Sequence, residues 1–157
     1  MATSSVADWL PVILADFAGT PVADFDVRLI DFDPARPGDL AALIPDIQTW
    51  AIPSDPTAHR LLLKVAMTAP DWFPEGRVPT RLMTLDWPGC DPEEVAVEIA
   101  STLQVHVMDE LNTTWPEVAV DGRTVVLEPR LGPDGTPRWE GRGVEPFPFG
   151  RLADRLA

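Results

Sequence analysis

Residues 91–111 read DPEEVAVEIASTLQVHVMDEL, and this stretch decides the fold class. Asp91 is a favourable N-cap, and Pro92 fits the first helical position because an N–H there would have no partner in any case. Glu93 and Glu94 place negative charge against the positive end of the helix dipole. The pattern predicts a helix from Pro92 to about Leu111. Ala96, Ile99, Ala100, Leu103, Val107 and Leu111 recur at helical spacing and form its apolar stripe, while Val97, Val105 and Met108 point away from that stripe. Such a helix is expected to be covered on two sides, by loops or by a partner.

Outward from this helix the chain alternates short elements with turns. Val6, Trp9, Leu10, Ile13, Leu14 and Phe17 predict an amphipathic helix over 5–18, capped by Ser4 or Ser5 and ended by Gly19. Pro11 would clash with the carbonyl four residues earlier, which predicts a kink or a start near Asp8. Residues 25–32 read as a strand, Asp33-Pro34 and Pro37-Gly38 as turns, and Asp39 as the cap of a short helix ending before Pro45; 46–53 is ambiguous. Over 60–68 the alternation of Leu61, Leu63, Val65 and Met67 suits a strand buried mainly on one face, with a helical alternative open. A loop rich in aromatic residues and Pro leads to a second strand over 80–87. That connection is about a dozen residues with no helical period, so antiparallel pairing is expected. Beyond Trp115-Pro116, residues 124–128 read as a strand, and Gly132-Pro133-Asp134-Gly135 as a turn returning a second strand through Trp139. Residues 145–157 form an extended segment rich in Pro and Phe, with a last helical turn over 152–156. With no repeat and no linker, 1–157 reads as a single α+β domain. It is mainly an antiparallel sheet with the N-terminal helix and the long capped helix packed on it.

Composition narrows the function. The 157 residues are 45% hydrophobic, enough for a core, and 25 acids against 12 bases give a formal net charge of −13. A groove that neutralises phosphates is therefore unexpected, and no direct nucleic-acid binding is predicted. The single cysteine, Cys90, excludes an internal disulfide framework. Four aspartates precede the first base, Arg28, which argues against a signal peptide, and no run approaches the roughly 18 apolar residues of a membrane span. A cytoplasmic protein is expected. Charge is uneven: residues 119–157 hold half of the cations, Arg123, Arg130, Arg138, Arg142, Arg151 and Arg155. An acidic body with an Arg-bearing tail favours head-to-tail association.

Chemical motifs are sparse. Asp31-Phe32-Asp33 after a hydrophobic strand resembles the first motif of the haloacid-dehalogenase phosphatases, in which the first aspartate would attack phosphorus and the second act as acid and base. The likeness covers about eight residues, and a solvated strand edge explains the same aspartates. His59 and His106 have no neighbour at metal-ligand spacing, and His106 is expected to be partly buried with one hydrogen bond. Cys90 precedes a helix N-terminus but has Asp91 beside it, and no serine lies in a nucleophile elbow. No glycine cluster cradles a phosphate. No catalytic residue, metal or cofactor is predicted.

What remains is a set of aromatics beside prolines. Trp72, Phe73, Phe147 and Phe149, with Arg142 and Arg151, are the candidate partner-binding residues, because large aromatics and Arg anchor interfaces and Pro-flanked segments lose less entropy on docking. The leading expectation is a non-catalytic subunit that binds another protein or copies of itself. In layout, with Pro37-Gly38-Asp39-Leu40 to Pro45 and the helix capped at Asp91, the chain resembles the small α+β tail-terminator and neck subunits of tailed bacteriophages. That resemblance implies ring assembly and a virion location. The alternatives are an acidic inhibitor or immunity-type protein covering a basic enzyme with Asp24, Asp26, Asp31 and Asp33, and a small hydrolase in which His59, His106 or Asp31 and Asp33 converge.

Overall fold

The computed structural model describes residues 5–32, 60–69, 71–75, 79–85 and 91–156. Among the described residues, three α-helices and eight strands, the strands in three open antiparallel sheets, make an α+β fold. The expected short helix over 39–45, the 46–53 stretch, Asp33, His59 and Cys90 lie outside the described residues. The sequence shows no linker, yet the chain divides into two compact units, Met1–Asp24 with Asp91–Ala157, and Phe25–Cys90.

The first unit begins with α1, Val6–Asp16. Ser5 and Asp8 cap each other: the Asp8 N–H donates to Ser5 Oγ at 3.2 Å and the Ser5 N–H to Asp8 Oδ2 at 3.0 Å. This reciprocal cap sets the start at Val6 rather than near Asp8. Pro11 accordingly lies inside the helix, on an exposed position. A 3₁₀ turn, Pro21–Asp24, buries Val22.

Helix α2 spans Pro92–Leu111, as the caps predict. The Asp91 N–H donates to Glu94 Oε2 at 3.3 Å, and Asn112, in the left-handed region at φ 51°, closes the C-terminus by donating its N–H to the Met108 carbonyl. Ala96, Ile99, Ala100, Leu103 and Val107 are buried, and so are Val95, Gln104 and His106. Leu111 departs from the expected stripe and is exposed, as is Val105.

The strands follow as β4 (Glu117–Val120), β5 (Arg123–Val126), β6 (Glu128–Leu131), β7 (Pro137–Gly141) and β8 (Val144–Pro148). The β4–β5 hairpin turns on Asp121 and Gly122, with φ of 48° and 75°. Positive φ at both central residues matches the twist of the flanking strands. Strands β6, β7 and β8 form a second sheet in that order. The C-terminal segment, expected to be extended, pairs as β8 and ends in α3, Leu152–Leu156. α2 packs on α1, on the 3₁₀ turn and on β6 and β7, while α3 packs on α1 and β4.

The core of this unit is aromatic. The Phe17 ring lies 5.0 Å from Trp115 and 6.2 Å from Trp139, and Trp139 lies 5.5 Å from Phe149. Asp16 is buried at the end of α1 and accepts three N–H groups: Trp139 Nε1 at 2.9 Å, Gly150 at 2.8 Å and Leu152 at 2.9 Å. A buried carboxylate needs such partners, and here they tie the N-terminal helix to the last strands and helix. Gln104 performs a similar task from α2, donating Nε2 to the carbonyls of Trp115 and Leu127.

The second unit holds β1 (Asp26–Phe32), β2 (Arg60–Ala66) and β3 (Thr80–Leu85), antiparallel in the order β1-β2-β3. Leu62 and Leu63 are both fully buried. Neighbouring residues of a strand face opposite ways, so β2 is covered on both faces rather than mainly on one.

Candidate interaction surfaces

The loop from β2 to β3 is closed at its base by the Met67 N–H, which donates to the Pro79 carbonyl at 2.8 Å. Within it Trp72 is 81% exposed, its ring 5.8 Å from Phe73 at an interplanar angle of 60°. Phe73 is half-buried, and Asp71, Pro74 and Glu75 are exposed. The indole stands edge-on to the neighbouring ring in a Pro-bearing loop, an apolar projection with Asp71 before it and Glu75 after it in sequence.

Phe147 and Phe149 are placed differently from expectation. They are 4% and 5% exposed and offer a partner no ring surface. The reason is strand periodicity: Phe147 sits opposite Trp139 in the β7–β8 register, and its inward direction puts Pro146 and Pro148 outward. The Arg155 guanidinium lies 4.9 Å from the Phe147 ring centroid. The four aromatics therefore do not form one exposed set.

Arg142 and Arg151 are exposed. Arg151 pairs with Asp154 at 3.5 Å, a solvent-facing contact of little energetic consequence. Arg142 stands on the turn between β7 and β8 and lines an open groove of about 500 Å³ with Glu128, Arg130, Glu140 and Gly141. The register sets Glu128 opposite Glu140 and Arg130 opposite Arg138, like charge against like charge. The side chains resolve this along each strand. Arg130 pairs with Glu128 at 2.6 Å, and Arg138 pairs with Glu140. Both carboxylates of the groove are thus occupied by guanidinium groups, and Arg142 makes no ion pair with any described residue.

Of the remaining candidates, Asp31 and His106 are described. Asp31 lies near the end of β1, the edge strand of the second unit, while His106 is buried in α2 of the first with a partner of its own. Among the described residues no three His, Cys, Asp or Glu side chains come together in a way that would hold a metal ion. No described helix is long and apolar enough to cross a membrane. The groove escaped sequence reasoning because its charges alternate along β6 and β7 and meet only through the strand register. The chain matches no known protein family, curated protein or solved structure.

Proposed function

We propose that this chain is a non-catalytic, self-assembling protein-binding subunit that uses the 71–75 loop as its anchor. The observation that carries the reading is the exposure of Trp72, 81% in a chain whose other described tryptophans are half-buried or buried. Leaving an indole in water forgoes the burial that stabilises Trp139, and Trp is the residue type most enriched at the energetic centres of interfaces. The uneven charge supports the same reading, because an acidic body and an Arg-bearing C-terminal region on one chain are mutually attractive between copies. Ring assembly, which the layout resemblance to phage tail-terminator and neck subunits implies, is one form of this proposal.

Light scattering of the purified chain at low salt and at roughly 1 M salt, where the Debye length falls to about 3 Å, tests it directly. An oligomer that loosens with salt and is lost in Trp72→Ala is expected. A monomer under both conditions overturns self-assembly and moves the assignment to an acidic protein that covers a basic partner.

A further inference from the structure

We infer that the groove lined by Arg130 and Arg142 is the receptor for the 71–75 loop of a second copy of this chain, an assignment that rests on the self-assembly reading above. Two features of the groove fit that occupant. It is open to solvent, and its volume is about 500 Å³, room enough for a ring system of indole size to lie against it. The charges that line it balance, but Arg138 beside it takes up Glu140 as Arg130 takes up Glu128, which leaves the Arg142 guanidinium without a carboxylate among the described residues. The loop presents the complementary set, an exposed indole between Asp71 and Glu75.

The pairing is chemically specific. A guanidinium stacks on the face of an indole and forms a bidentate pair with a carboxylate, and it does both more strongly once water is excluded. Arg142 is positioned to make one such contact with Trp72 and the other with Asp71 or Glu75. Each chain carries one loop and one groove, so the contact is heterologous. Repeated head to tail, it closes into a ring if the rotation permits and grows as a filament if it does not.

The test uses the full-length chain and reads mass by light scattering as a function of concentration. Arg142→Glu and the double change Asp71→Lys with Glu75→Lys should each raise the dissociation constant at least about tenfold, the scale of losing one interface anchor. Combining all three changes restores opposite charges across the contact and should recover assembly. Far-UV circular dichroism on each variant establishes that the fold is kept, and Arg142→Lys should retain part of the affinity. If Arg142→Glu assembles like the wild type while Trp72→Ala does not, the groove assignment is wrong and self-assembly through the loop stands. If the wild type is monomeric at every concentration, both fall together.

Discussion

Asp16 joins segments far apart in sequence, since its carboxylate gathers N–H groups from Trp139, Gly150 and Leu152. Asp16→Asn keeps the shape but turns an NH₂ toward donors, so at least one buried N–H loses its acceptor. The expected cost is roughly 2–3 kcal/mol, read as a lower urea midpoint followed by fluorescence of the tryptophan cluster. Asp8 makes a different prediction at the opposite end of α1. The Ser5 backbone N–H and hydroxyl hold its carboxyl below the ordinary carboxylate value. A depressed folded value means the cap contributes fully above the unfolded value and is lost as pH falls through the lower folded one. The unfolding midpoint of the wild type, compared with Asp8→Asn across pH 2 to 6, should converge at the acid end. A gap between them that stays constant over that range would rule the cap out as the source. The contrast between Trp72 and Phe149 belongs to this scale too. Phe149→Ala opens a cavity beside Trp139 and should cost about 3–5 kcal/mol, whereas Trp72→Ala should stay within about 0.5 kcal/mol of the wild type.

Among the elements, the β5–β6–β7 region is closely packed around Gly141. A Cβ at Gly141 would stand 2.7 Å from Leu127 Cδ2 and 2.9 Å from Val125 Cγ1. Gly141→Ala is therefore expected to destabilise by about 1–3 kcal/mol through overpacking. At Gly122 the space is open, but φ is +75°, so Gly122→Ala should cost about 1 kcal/mol through backbone strain alone. A second substitution trimming Leu127 should recover stability in the first case relative to Leu127 trimmed alone, and no trimming should help the second. These same strands show what the sequence conveys. Helix α2 is legible because its cap, proline and charges all agree, and the antiparallel sense of the β2–β3 pairing because the connection is short and has no helical period. β4 is only four residues long and is announced mainly by the Asp121-Gly122 turn after it. β8 reads as merely extended because Pro146 and Pro148 cannot donate to a ladder. Proline is nonetheless at home on an edge strand, and it blocks further pairing there. The aromatic candidates all lie within two residues of a proline in sequence. Only the strand register separates Phe147, turned inward, from Trp72, left in a loop, and register depends on partners distant in the chain.

At the scale of the whole molecule, the second unit, Phe25–Cys90, is inserted in sequence between Asp24 and Asp91 of the first. The first unit is about 90 residues long, above the roughly 60 at which single domains fold alone. Its buried ring cluster, the Asp16 hydrogen bonds and the Gln104 amide are all satisfied by residues of that unit. The 3₁₀ turn ending at Asp24 packs on α2, whose first residue follows Asp91. These facts predict that a chain in which a short Gly/Ser linker replaces residues 25–90 keeps its helical circular dichroism, the buried-tryptophan emission of Trp139 and a cooperative urea transition. Asp16→Asn in that shortened chain should lower the midpoint as it does in the full chain, because every partner of the carboxylate is retained. Loss of the cooperative transition in the shortened chain would instead mean that its core draws stability from the inserted residues. The shortened chain also lacks the loop bearing Trp72 while keeping the groove at Arg142, so it should cap assembly of the full chain and lower its mean mass in proportion to the amount added.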